Sequence, residues 1–366
     1  MREKKNVLFI GPLGLKLKTG QSLSFVNITD NYKLKKIIIN SDLENLSFIK
    51  KVIKSIKINL EVLEAILFLN VSVIYITSSR SVKGSAKEFI ALVGSRIFKI
   101  PLIQHLHGRG YSTYLSKCPY FYRKILVWGI SNTYKFITLG KSMVKDIPSY
   151  IDPKIVVIQN PYISTTKDTI KVEERNNEIP IITYLSNLMP EKNIIELIKV
   201  SIQIEKDHPN SHILIIAGQY QGDTDNRNVM AKKINDLLEN NRHINLIGAV
   251  NEDQKIELLL KTDFLCLPSK WQLEGIPLCI IEAAIHGCCI LIDGKAVFKQ
   301  DIQHLSYFEY DFEDIFKTSD EIFKLMQNKN LISKLQESNR NSANLIHNNF
   351  YHLELIYGLI QSANKC

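Results

Sequence analysis

The six cysteines of this 366-residue chain, Cys118, Cys266, Cys279, Cys288, Cys289 and Cys366, form no Cys-x-x-Cys pair. Most lie in apolar runs, where a thiol behaves as a small hydrophobe. A disulfide framework is excluded as the source of stability, and a reducing compartment fits. Long apolar stretches are also missing: none reaches the length of a membrane span, and the run in MREKKNVLFIG is far too short for a signal peptide. The expectation is a cytoplasmic protein whose membrane attachment, if any, is peripheral at the inner face of the cell membrane. No Gly-Lys-Ser/Thr follows the glycines of GPLGLKLKTGQS, and they do not read Gly-x-Gly-x-x-Gly, so neither phosphate fingerprint is present. Basic and aromatic residues do not interleave, which argues against nucleic acid as the partner. His105 and His107 have no Cys, Asp or Glu at ligand spacing, and Asp223 and Asp225 lie in a polar loop, so no metal and no cofactor is predicted.

What is present suffices for two ordinary domains: 45% hydrophobic and 23% charged residues, with a net charge of +9 that points to an anionic partner. Short apolar segments alternate with helical ones. Strands are predicted at 6–10, 35–40, 72–77, 102–106, 135–139 and 154–158, with helices at 47–70, 85–98 and 119–131. Residues 162–179 are polar and without apolar periodicity, the composition of a linker. The alternation then restarts, with strands at 180–185, 212–217, 243–247, 264–267 and 289–292. The helices of this half fall at 191–206, 226–240, 252–261 and 277–286, and 331–363 is mostly helical. This is an α/β pattern: two Rossmann-like doubly wound domains, 1–161 and 180–348, facing a central cleft.

The segment LPSKWQLEGIPLCIIEAAIHGCCIL concentrates the chemistry. Glu274 and Glu282 are separated by seven residues, and Ile276 to Ile281 are all apolar. If Pro277 opens a helix, Glu274 precedes it and Glu282 lies one to two turns inside. Backbone N–H groups of the first turn, from Gly275 through Ile276, Leu278 and Cys279, then make a seat for a phosphate. Carboxylates that accept from sugar hydroxyls around such a helix end describe a nucleotide-sugar site.

This arrangement resembles the Glu-x7-Glu motif of retaining glycosyltransferases of the GT-B fold, in particular family 4. The resemblance implies transfer of a sugar from a nucleotide-diphosphate sugar to a saccharide or polyprenyl-linked acceptor, with retention of configuration and without metal, in cell-surface polysaccharide biosynthesis. It implies that Glu282 binds the ribose hydroxyls and Glu274 the transferred sugar, and that residues 349–366 cross back to the first domain. The loop SNLMPEKN is similar to the family's Gly-Arg-x-x-x-x-Lys. Lys192 keeps the lysine that holds the diphosphate, whereas Asn187 stands where the arginine is usual. By the same resemblance Gly218 and Gly20 approach the donor, Asn160 marks the domain boundary and His107 sits at the reacting sugar; Arg109, which follows in HLHGRGY, is placed to touch phosphate or acceptor.

Lys50, Lys51, Lys54 and Lys57 lie on one amphipathic stretch, which reads either as a solvated helix face or as a face for an anionic membrane. Two alternatives to the transferase stay open: a non-catalytic GT-B-like subunit that binds a sugar nucleotide or partner, favoured by Asn187, and a sugar-nucleotide epimerase.

Overall fold

The computed structural model describes residues 5–14, 19–43, 46–149, 154–163 and 177–365. The chain forms two compact units. One comprises 1–163, Leu273–Ile276 and 348–366; the other comprises 164–272 and 277–347. The expected linker at 162–179 lies mostly outside the described residues.

In the first unit, β1 (Asn6–Gly11), β2 (Lys36–Asn40), β3 (Val71–Thr77), β4 (Leu102–Leu106), β5 (Thr133–Thr138) and β6 (Ile155–Val157) form a parallel sheet in the order β2-β1-β3-β4-β5-β6. Strands buried on both faces need continuous apolar sequence. NVLFIG in β1 and LIQHL in β4 meet that need, with Asn6 at the start of β1 and Gln104 and His105 in β4 as the polar exceptions. The helices are α1 (Gly20–Asn31), α2 (Phe48–Phe68), α3 (Val82–Ser85), α4 (Phe89–Ile97), α5 (Tyr111–Ser116), α6 (Tyr120–Ile130) and α7 (Lys141–Val144). α2 packs on α4, and α4 on α6.

In the second unit, β7 (Ile181–Leu185), β8 (Ile213–Ala217), β9 (Ile244–Gly248), β10 (Phe264–Leu267), β11 (Cys289–Asp293) and β12 (Tyr307–Tyr310) form a parallel sheet ordered β12-β11-β10-β7-β8-β9. The helices are α8 (Ile194–Asp207), α9 (Thr224–Leu238), α10 (Glu252–Lys261), α11 (Leu278–Ile285), α12 (Ile315–Met326) and α13 (Lys329–Ile346). The last helix, α14 (Asn349–Ala363), belongs to the first unit. Its Ile356, Ile360 and Ala363 join Phe9, Tyr75 and Ile103 in one buried cluster. Burial of each isoleucine contributes about 1.5–3 kcal/mol. Tyr357 donates from its hydroxyl to the Ile28 carbonyl at 2.8 Å, which fixes the helix against α1.

α1, β12 and α12 are elements that the sequence pattern did not predict. α1 has a Thr19–Ser22 capping box but almost no apolar stripe: its buried face includes Ser22, Ser24, Asn27 and Thr29 beside Phe25 and Ile28. β12 has only four residues at a sheet edge.

Candidate active site

In the second sheet the strand order reverses between β7 and β10, and loops leaving the carboxyl ends of such a pair diverge and open a crevice. After β7, Met189 is extended, Pro190–Lys192 makes one 3-10 turn, and Asn193 takes a left-handed φ of 52° as the N-cap of α8. The helix expected from residue 191 therefore begins at Ile194, because the left-handed residue interrupts it. This path buries Lys192 to 4% exposure and brings its Nζ 5.3 Å from the ring centroid of Trp271, in the loop after β10. An ammonium at that range is attracted by the negative face of the indole. The Lys270 N–H donates to the Glu191 carbonyl at 2.9 Å and stitches the two loops together.

Pro277 is the N-cap of α11, not its first helical residue: its φ of −66° suits a helix, but its ψ of 126° is extended. Leu278 opens the helix, and the Ile280 N–H donates to the Pro277 carbonyl at 3.2 Å. Glu282 lies on the second turn. Its Oε1 accepts from Lys255 Nζ at 2.6 Å, and Lys255 also reaches Glu252 at 2.9 Å. Burial raises the Glu282 carboxyl pKa more than the lysine lowers it. Burial also opposes the Lys255 charge, yet its two carboxylates leave that pKa raised.

Asn187 donates through Nδ2 to Gln221 Oε1 at 2.5 Å, and its carbonyl accepts from the Tyr184 hydroxyl at 2.8 Å. Gly218 directly follows β8, beside this loop. A Cβ there would lie 1.8 Å from the Ser186 carbonyl oxygen, so the space its missing side chain leaves is taken by backbone.

The first unit holds the other predicted residues. Leu273–Ile276 packs as part of it, so Glu274 and Glu282 belong to different units. Glu274 and Ile276 are buried. A Cβ on Gly275 would stand 3.1 Å from the His107 carbonyl, a close approach that suits glycine. His107 is half-buried, and its ring lies 4.0 Å from that of His105. Burial, and then repulsion from the His352 ring in its protonated form and from the Arg80 guanidinium, push the His107 pKa down to about 3, so its imidazole is neutral at pH 7. His105 is fully buried and held by the Tyr75 hydroxyl at 2.5 Å. Arg109 donates to the Ser142 hydroxyl, and its N–H bonds the Leu273 carbonyl at 3.3 Å. Gly20 opens α1, directly after the capping Thr19. Asn160 is buried.

Four further residues join these surroundings: Lys255, Trp271, Arg80 and His352. Arg80 Nη1 donates to the Arg109 and Leu273 carbonyls at 3.0 and 3.1 Å. His352 Nδ1 lies 3.0 Å from the Gln159 carbonyl. None stands in a spaced motif, although Trp271 lies three residues before Glu274. Asp223 caps α9 by accepting from the Asn226 N–H at 2.9 Å. No cluster of three or more metal-binding side chains occurs among the described residues.

The family model described as Glycosyl transferases group 1 matches residues 165–342, which include Asn187, Lys192, Glu274 and Glu282. The chain is similar to HepE from Anabaena, solved in complex with UDP, with a TM-score of 0.70 and 14% identity over 98% of this chain and 100% of that one. It is similar to sucrose-phosphate synthase from Thermosynechococcus elongatus, with a TM-score of 0.73 and 11% identity over 98% and 99%. A glycosyltransferase from Rickettsia africae gives 0.67 and 15% over 99% and 99%. Comparison with curated proteins found no match. The fold is GT-B, and together with the family match it supports a glycosyltransferase.

Proposed function

We propose that the chain transfers a sugar from a nucleoside-diphosphate sugar to a saccharide acceptor, lipid-linked and used in cell-surface polysaccharide assembly. Transfer retains the anomeric configuration and needs no metal, and the enzyme works at the cytoplasmic side. The observation that carries this reading is the meeting of Lys192 and Trp271 at the strand-order reversal of the second sheet, inside the segment matched by the family model. Lys192 holds the diphosphate and Glu282 the ribose, with Leu278 at the mouth of α11. Glu274 and neutral His107 bind the transferred sugar, and Arg109 belongs to the acceptor side. In the reaction the bond from the anomeric carbon to the phosphate oxygen breaks. The acceptor oxygen bonds that carbon, and its proton passes to the departing phosphate. The buried Lys192 ammonium stabilises charge on that leaving group in a site that needs no rearrangement.

The test is thermal unfolding of the chain with UDP, GDP, ADP, CMP and their sugar conjugates, with and without chelator. A ligand at a hundred times its Kd stabilises by about 2.7 kcal/mol. One nucleoside diphosphate should raise the midpoint whether or not chelator is present. Lys192→Ala should weaken that ligand by about 10- to 150-fold, the worth of a charge-assisted hydrogen bond of about 1.5–3 kcal/mol. Unchanged binding would remove Lys192 from the diphosphate site. The Asn187–Gln221 pair favours a second reading, a GT-B-like subunit that binds a sugar nucleotide without transfer. In that case a nucleotide would bind, but no acceptor would ever release free diphosphate.

A further inference from the structure

The helical layer of the first unit carries a second apolar stripe that its own core does not use. α2 buries Ile58, Val62, Ala65 and Ile66 against the unit. Ile49, Ile53, Ile56 and Leu60 recur at the same helical spacing on the other side, and they are 70%, 61%, 56% and 61% exposed. Lys50, Lys54 and Lys57 form the adjacent row, and no acidic residue precedes Glu61 in the helix. Lys57 approaches Glu61 at 3.7 Å, an exposed pair.

α4 packs beside α2, and α6 beside α4, and neither helix contains an acid. Ile97 and Phe98 are exposed at the end of α4, and Tyr120, Phe121, Ile125 and Trp128 are exposed on α6. The basic groups of this layer sit on aromatic rings: Lys124 Nζ lies 4.6 Å from the Tyr120 centroid, and the Arg96 guanidinium 4.9 Å from that of Trp128. A cavity of about 530 Å³ opens here, lined by Tyr120, Arg123, Lys124, Val127, Trp128 and Ser131. The exposed stripe from Ile49 to Leu60 begins at the start of α2, which follows the carboxyl end of β2. That is the end of a parallel sheet where ligands bind.

We propose that α2 and α6 dock the chain on an anionic lipid surface. Ile49, Ile53, Ile56 and Leu60 enter the acyl boundary, and Lys50, Lys54 and Lys57 meet the phosphates. Trp128 and Tyr120 match the region between headgroup and acyl chain, where an apolar ring with a polar edge is at home. A two-fold pairing of this face with a second copy would bring like lysine rows together, whereas anionic lipid neutralises them. The inference deepens the lipid-linked acceptor reading and rests on it only for what the surface is for; docking is measured without transfer.

Cosedimentation of the full chain with phosphatidylcholine vesicles, and with vesicles containing phosphatidylglycerol, tests it. Binding should favour the anionic vesicles and weaken with salt. Lys50→Ala, Lys54→Ala and Lys57→Ala together should lower anionic-vesicle binding by about a hundredfold. Ile53→Glu with Ile56→Glu should abolish binding while leaving the thermal midpoint and its nucleotide-induced shift intact. Failure of the wild-type chain to bind anionic vesicles overturns the proposal. So does binding indifferent to both sets of variants, or a dimer that Ile53→Glu with Ile56→Glu dissociates in the absence of vesicle binding. If vesicles bind but no nucleotide shifts the midpoint, docking stands and the donor reading fails.

Discussion

The two units share six parallel strands and an α/β plan, but they use charge in opposite ways. Beside β4 the first unit presents neutral imidazoles, His105 and His107, next to backbone carbonyls held by Arg80. Beside β7 and β10 the second unit keeps Lys192 buried over an indole and seats Glu282 on Lys255. A group that must hold a diphosphate needs fixed charge. On the proposed reading, an imidazole that touches a sugar while a positive anomeric carbon develops does better neutral than cationic. One fold, used twice, therefore carries two different electrostatic surroundings, neutral rings beside β4 in the first unit and paired or ring-stacked charge beside β7 and β10 in the second.

Glycines make the sharpest break in this comparison. Gly218→Ala would set a Cβ 1.8 Å from a backbone carbonyl that is tied into the strand-end loops and cannot turn aside. We expect a loss of about 4 kcal/mol or more, the size reserved for backbone conflict in a packed site. Gly108→Ala in the first unit would meet the Arg80 guanidinium at 2.3 Å, the far end of a flexible side chain, and should cost far less. Urea unfolding of the two variants gives the answer, and equal losses would refute the distinction. Next in size is Lys255→Ala. It strands the Glu282 carboxylate, whose side chain is only 14% exposed, and should cost about 3 kcal/mol. Lys255→Met with Glu282→Gln should recover most of that stability without recovering nucleotide binding. If the single variant is as stable as wild type, the pair is not what seats Glu282.

Much of the fold was legible before the structure. β4, α10 and β10 begin and end at the predicted residues, because each is a short apolar or capped segment between clear breaks. α1 was not, since a helix that buries serine, asparagine and threonine leaves no periodic trace. The candidate site was legible only where a motif crosses it. Glu274, Glu282 and Lys192 stand in spaced motifs, and their neighbours do not. Lys255 lies on a helix that reads as a solvated amphipathic segment, and its meeting with Glu282 depends on how α10 and α11 are laid on the sheet. Trp271 becomes significant only when β7 and β10 are known to be neighbours. The division of Glu274 from Glu282 between units is likewise a property of packing, invisible in their spacing.

Acid should expose the neutral character of the first unit. Burial lowers the pKa values of His105, His107 and His352, the last two to about 3 and about 4, from an ordinary 6.5. The unfolded chain takes up these protons near pH 6.5 and the folded one does not. The stabilisation is therefore present above pH 6.5 and is lost as pH falls toward 4. His352 alone accounts for about 3 kcal/mol. Glu88, whose carboxyl pKa is raised by burial, pulls the other way. The chain has two tryptophans, Trp128 in the first unit and Trp271 in the second, so fluorescence of a Trp271→Phe variant follows the first unit alone. Its urea midpoint should drop between pH 6.5 and 4, and His352→Phe should flatten that slope. A midpoint independent of pH would mean that these histidines are hydrated.

The smallest effect sharpens the charged side of the comparison. Asn187 stands where the resemblance expects arginine, and its amide is spent on Gln221. Asn187→Arg gives up that neutral hydrogen bond, worth about 1 kcal/mol, and adds a guanidinium where a charge-assisted bond is worth about 1.5–3 kcal/mol. The net is about 1 kcal/mol, or roughly fivefold tighter binding of the preferred nucleoside diphosphate, read by calorimetric titration. Tighter binding with faster transfer would mean that the loop reaches the diphosphate and that asparagine merely tempers it. Tighter binding with no transfer at any acceptor would favour the binding subunit. No change in affinity would leave Lys192 as the cation on which the diphosphate depends in this loop, and would place the remaining recognition on Glu282 and the first turn of α11.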